Sequence, residues 1–176
     1  TPEAGYGLSV KNAKSALKFN LNTKDTLRQI QFYFNPTLSS ANDVYFNLMV
    51  WKSIDPEEII YSKRVKTAFT EGLYNFYTYE LDTNLILANE FYIGFQQTSA
   101  TNLNVGFDYA VDSKEYLFYS IGSGWESSVY SGSLMIRPVF GEFVATAVEE
   151  VEQEKSAFKI FPNPLNGSYL NIDIAE

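Results

Sequence analysis

From Tyr6 to Phe140 the chain keeps a period of two. Ile30, Phe32 and Phe34 alternate with Gln29, Gln31 and Tyr33. Val44, Phe46, Leu48 and Val50 alternate with Tyr45, Asn47, Met49 and Trp51, and Phe91, Ile93 and Phe95 with Tyr92, Gly94 and Gln96. Successive side chains of a strand point to opposite faces, so this spacing predicts half-buried β-strands. Further strands are predicted over 15–21, 58–65, 73–81, 102–109, 116–121 and 133–140. Turn signals lie between them: Asn35-Pro36, the polar run 39–43, Asp55-Pro56, Glu71-Gly72, Asp82-Thr83-Asn84 and Gly122-Ser123-Gly124. No stretch of about ten residues holds the helical period. Roughly nine strands joined by short turns predict an all-β fold, a two-sheet antiparallel β-sandwich of jelly-roll type. An immunoglobulin-like sandwich is the nearest competitor, because strand number alone does not separate the two.

The pattern changes after Gly141. Residues 142–155 carry five Glu without Gly or Pro, and their apolar positions suit neither period. An acidic linker is expected over 142–157, between a sandwich domain at 1–141 and a last segment at 158–176. In that segment Pro162 and Pro164 fix their own φ and push Phe161 and Asn163 toward extended backbone. Asn166-Gly167 suits a tight hairpin turn. Leu170, Ile172 and Ile174 then alternate with Asn171 and Asp173, which predicts a short C-terminal β-hairpin.

Phe158, Ile160, Phe161-Pro162-Asn163-Pro164, Asn166-Gly167 and the alternating Leu170, Ile172 and Ile174 together resemble the start of the type A C-terminal sorting domain of bacterial type IX secretion cargo. The resemblance implies handling by the type IX secretion machinery, passage across the outer membrane, and an extracellular or outer cell-surface location. It extends over the beginning of such a domain only. The chain is therefore expected to be an excised part of a longer precursor, and this copy is not expected to be export-competent. The sandwich carries a second resemblance, through Glu90–Phe95, Val105-Gly106-Phe107-Asp108, Trp125 and Gly132–Arg137. It is similar to a jelly-roll-like module that often precedes sorting domains in large secreted bacterial proteins, usually without a known activity.

Composition narrows the chemistry. The 176 residues are ordinary for one domain, or one domain with an appendage. The formal charge is −8, without a Lys/Arg cluster, so nucleic acid is not an expected partner. No apolar run approaches the length that spans a bilayer, so membrane insertion is not expected either. Cysteine is absent, which excludes disulfides, thiolate metal sites and thiol nucleophiles. Histidine is absent too, which rules out a Ser-His-Asp triad and histidine-ligated metals within this chain. Thirteen Tyr and fourteen Phe favour strands.

Three constellations remain as candidate sites. Trp51, beside Tyr45 and Asn47 on the polar phase of its strand, and Trp125, after a Gly-Ser-Gly turn, fit an aromatic platform for sugar rings. Gln96, Gln97, Asn102 and Asn104 are candidate hydrogen-bonding partners for the hydroxyls. The plainer reading, that both indoles cap the sandwich core, takes precedence. Asp108 and Asp112 bracket a loop and are candidate ligands for calcium, the one cofactor considered, against the alternative that both serve turn chemistry. Glu57, Glu58 and Glu126 are the carboxylates a glycoside hydrolase would need, but adjacent Glu57 and Glu58 point to opposite faces of a strand. The expectation is a non-catalytic accessory or adhesion-like module that binds a surface glycan or protein, or acts as a spacer. The alternatives are a carboxylate-dependent glycan hydrolase and a calcium-dependent lectin-like domain.

Overall fold

A computed structural model describes residues 3–38, 41, 43–70, 75–122, 124–141, 158–161 and 171–174. The chain divides into two compact units, Thr1–Glu142 and Phe143–Glu176. In the first unit the strands run β1 (Ala4–Tyr6), β2 (Lys14–Phe32), β3 (Tyr45–Ile54), β4 (Glu57–Lys66), β5 (Tyr77–Gln97) and β6 (Val105–Asp108). They continue as β7 (Leu117–Ser120), β8 (Glu126–Ser127), β9 (Ser133–Leu134) and β10 (Ile136–Phe140). A 3-10 turn spans Lys114–Tyr116, and no described helix is long and apolar enough to cross a membrane.

The strands form two antiparallel sheets, one of order β1-β6-β9 and one of order β4-β3-β5-β2-β7-β8, with β10 also paired to β2. One core joins them. Tyr6, Val105, Phe107 and Leu134 of the small sheet pack in the same cluster as Leu17, Phe32, Phe46, Leu48, Val50 and Phe95 of the large one. Phe32 contacts the rings of Phe34, Phe46 and Tyr79 within it. This is the two-sheet antiparallel sandwich that the alternation predicts.

The strand boundaries differ from expectation in an instructive way. The predicted strands 15–21 and 29–34 merge into β2, and 73–81 and 91–96 contribute to a single β5. Asp82-Thr83-Asn84 is not a hairpin turn. It lies between the pairs Gln29↔Glu80 and Leu27↔Leu85, where residues 81–84 stand opposite Arg28 alone. The turn signal is thus absorbed as a bulge, which leaves surplus residues unpaired while the strand continues. Arg28 spans the irregularity, its Nε donating to the Gly141 carbonyl at 2.7 Å and its Nη1 to Asn84 Oδ1 at 3.2 Å. The predicted strand 133–140 conversely splits in two, because its halves belong to different sheets.

That split marks the corner of the sandwich. β9 pairs with β6 in the small sheet, Met135 intervenes, and β10 pairs with β2 in the large one. Just past β2 the chain makes the opposite crossing, since Phe34 bridges to Val105. Three backbone hydrogen bonds close a ring at this point. Gly106 donates to the Tyr33 carbonyl at 2.8 Å, Tyr33 to Met135 at 3.0 Å, and Met135 back to Gly106 at 2.8 Å. Sandwich corners are commonly made by strands that change sheets through such bends.

In the second unit β11 (Phe158–Phe161) pairs antiparallel with β12 (Asn171–Ile174), Phe158 opposite Ile174 and Phe161 opposite Asn171. The expected linker at 142–157 and the motif residues Pro162, Asn163, Pro164, Asn166 and Gly167 lie outside the described residues.

The corner requires glycine at position 106. A Cβ there would lie 2.7 Å from Tyr33 Cδ1 and 2.8 Å from Met135 Sδ, so overpacking results unless the corner shifts. Gly106→Ala is expected to destabilise the sandwich by about 1–3 kcal/mol, read as a lower urea midpoint with an unchanged slope.

Candidate functional site

The predicted platform residues Tyr45, Asn47, Trp51 and Gln96 share the outer face of the large sheet, as their register shows: Asn47 stands opposite Gln96 and Trp51 opposite Tyr92. They do not form an open platform. Trp51 is wholly buried, in a second small cluster with Ala16, Met49 and Tyr92, on which Trp125, Phe118 and Ile54 pack. Trp125 meets Trp51 edge to face, with centroids 5.2 Å apart at 85°. The Trp51 indole N–H donates to Glu57 Oε1 at 2.8 Å, and the same carboxylate receives Lys14 Nζ at 2.6 and 2.7 Å. Lys14 also stands 5.9 Å from the Trp125 ring centre. No indole face of Trp51 is left for a sugar. Its strand phase is polar-side as expected, but that side is locally roofed by the chain after the Gly-Ser-Gly turn.

The other predicted residues are engaged in structure. Tyr45 is exposed, yet the Arg64 guanidinium sits 4.9 Å from its ring centre and Lys66 Nζ 5.8 Å away. Asn47 Nδ2 donates to Gln96 Oε1 at 3.1 Å, and Gln96 Nε2 donates to the Asn12 carbonyl at 3.4 Å. Asn104 is not near them. It is buried with φ 55°, and its Nδ2 donates to the Asn35 carbonyl at 2.5 Å while its own N–H donates to Asn102 Oδ1 at 2.8 Å. Gln97 is buried as well and accepts the Leu8 N–H at 2.9 Å, pinning the segment after β1. These amides hold turns in place.

Asp108 and Asp112 each accept hydrogen bonds from nearby backbone. Asp108 Oδ1 receives the Ala110 N–H at 2.8 Å. Asp112 Oδ1 receives Lys114 N–H at 3.0 Å and Gly132 N–H at 3.3 Å. Among the described residues no three Asp or Glu come together as a metal site, and calcium asks for six or more oxygens. The carboxylates considered for hydrolysis are dispersed: Glu57 bonds Lys14 and Trp51, Glu58 bonds Lys52 at 3.3 Å, and Glu126 accepts the Tyr119 hydroxyl at 2.8 Å.

A different set of side chains surrounds open space. Two cavities, of about 290 and about 240 Å³, share walls beside β1 and the end of β7. Tyr6, Leu8 and Tyr130 line both; Phe107 and Tyr109 complete the larger, and Tyr119, Ile121 and Val129 the smaller. Tyr130 is 61% exposed and Tyr109 56%, large values for rings that border a concave site. Tyr6 stacks on Phe107 at 5.5 Å, and Tyr109 packs edgewise on the same Phe107 at 5.4 Å.

The local backbone explains how Tyr130 is presented. Ser128 donates its N–H to the Leu117 carbonyl at 2.8 Å and accepts the Tyr130 N–H on Oγ at 3.1 Å. Two residues beyond Tyr130, Gly132 is tied to Asp112 and accepts the Ser113 N–H at 3.0 Å. Only glycine fits there, because φ is 148° and a Cβ would lie 2.2 Å from Phe107 Cε1. The loop is thereby anchored on both sides of the ring. Burial pushes the Tyr6 phenol up to about 12, and the hydrogen bond to Glu126 raises Tyr119, so both hydroxyls stay protonated at neutral pH. The strand pattern does not flag this site. Its available sign is that Tyr130 falls next to turn residues outside the predicted strands, and that Tyr109 is the last residue of one.

Two outcomes are expected. Trp51→Ala should cost about 3–5 kcal/mol of stability, measured by urea unfolding, with Trp125→Ala costing less because that ring is only half-buried. Asp112 provides the second. The Lys114 N–H, and after it Gly132, hold its carboxyl below the usual range. Its contribution is therefore present above the unfolded-state value of about 3.9 and is lost as pH falls through the lower folded value. The amide resonances of Lys114 and Gly132 should shift together in that acidic window, and Asp112→Ala should abolish the coupling. No family model, curated protein or solved structure matches this chain.

Proposed function

We propose that the chain is a non-catalytic recognition module of an exported bacterial surface or secreted protein. On this reading the sandwich binds a surface glycan or protein, and the segment 158–176 belongs to a type IX sorting signal. The observation that carries it is the pair of adjoining cavities between the sheets, bordered by solvent-facing Tyr109 and Tyr130. Ligand sites are concave and mostly apolar, with a few oriented polar groups, and this mouth has that make-up. Exposed tyrosine combines a large contact area with a hydroxyl and loses little entropy when held.

The engaged carboxylates support a binding role over turnover. Glu57, Glu58 and Glu126 each have a partner of their own, whereas glycoside hydrolysis needs two carboxyls facing one bond. The secretion part of the proposal rests on the resemblance of the last segment, in which Phe158–Phe161 and Asn171–Ile174 form the two strands that flank the Pro-Asn-Pro and Asn-Gly motifs.

A glycan array together with affinity capture from bacterial surface extract tests this. The wild-type chain is expected to retain a ligand in one of the two, and Tyr130→Ala to weaken retention at least about tenfold, or about 1.4 kcal/mol. Retention of nothing in both would leave a spacer and remove the recognition role.

A further inference from the structure

We infer that the two adjoining cavities form one elongated subsite for an uncharged or amino-bearing oligosaccharide, with Tyr130 standing between two sugar rings. This rests on the recognition reading above and narrows its ligand to one chemical class.

Size comes first. Each cavity alone, at about 290 and about 240 Å³, is at the low end of ligand-pocket sizes, which begin at roughly 300 Å³. Together they lie well within that range, and Tyr6, Leu8 and Tyr130 are the walls they share. A ligand filling both must have two lobes joined past Tyr130. Consecutive sugar rings joined at one oxygen have that outline.

The wall chemistry points the same way. Tyr6, Tyr109, Tyr119 and Tyr130 combine ring faces with phenol hydroxyls, which suits a ligand whose C–H faces are apolar and whose periphery is hydroxylated. Tyr6 and Tyr130 line both cavities, and Tyr119 lines the smaller one beside them. Hydrogen-bonding groups therefore converge on the boundary between the two lobes.

Charge sets the class. Among the described residues, none lining either cavity is Lys or Arg. Two carboxylates bind lining residues: Glu126 accepts the Tyr119 hydroxyl, and Glu3 Oε2 accepts the Tyr109 N–H at 3.0 Å. A uronate or sulfated chain would enter this mouth against like charge, with no Lys or Arg among the described lining residues to meet it, on a protein of formal charge −8. Neutral sugars carry no such penalty, and an ammonium substituent would gain from the carboxylates and the ring faces.

Calorimetric titration of the full chain with three probe series decides it: cello-oligosaccharides, chitosan oligosaccharides and oligogalacturonates, each from one to four rings. A neutral or amino series is expected to bind, with a gain of at least about tenfold from one ring to two and no measurable binding of oligogalacturonate. Tyr130→Ala should lose about tenfold or more with an unchanged melting temperature and Tyr109→Ala about tenfold or more while remaining folded, whereas Ile86→Ala, an exposed residue of β5, should bind as the wild type does. Preference for oligogalacturonate, equal affinity for one and two rings, or indifference to Tyr130→Ala would overturn the inference. Capture of a protein ligand with no sugar binding in any series would also overturn it, while leaving the recognition role standing.

Discussion

The ring of backbone hydrogen bonds among Gly106, Tyr33 and Met135 is the constraint from which the rest of the sandwich follows. Buried peptide groups need partners, and a strand that leaves one sheet for another abandons its ladder. Here two segments cross in opposite senses at one point and satisfy each other through β6. The small sheet is thereby fixed over the inner face of the large one, and Phe32, Phe34, Phe46 and Tyr79 fill the space beneath the corner. Aromatic pairs in edge and tilted geometries add to the area they bury.

A three-stranded sheet cannot cover a larger one completely. The structure treats the uncovered parts in two ways. On the outer face Trp125 lies across Trp51, and Lys14 and Glu57 complete the roof with charge and hydrogen bonding. Burial of that indole N–H is tolerable because it has an acceptor, since an unpaired buried donor costs roughly 1–3 kcal/mol. At the edge between the sheets the gap is left open and lined with tyrosine. The closed feature contributes stability, and the open one supplies the surface on which recognition is proposed.

Asp112 shows how one residue type serves the second feature. Acidic residues bracketing a loop suggest a cation, but this carboxylate binds the amides of Lys114 and Gly132 and so steadies the loop that carries Tyr130. The proposed sugar site thus depends on turn chemistry a few residues away, a common arrangement when binding groups sit on loops held by a rigid scaffold.

Alternation along the chain determined the fold class, the core-facing residues of β3 and β5, and the pairing potential of the last segment, because a strand's period is a local property of its backbone. It did not reveal that Asp82-Thr83-Asn84 would be absorbed as a bulge, nor that 133–140 would serve two sheets. Both depend on which partner strands stand alongside. The indoles were legible as large aromatics in the right phase, but burial of Trp51 is decided by a turn more than seventy residues later in the chain. The tyrosine-lined mouth was least legible of all. Tyr6 lies far along the chain from Tyr109, Tyr119 and Tyr130, the four share no motif, and only the closing of one sheet over another brings their rings to a single opening.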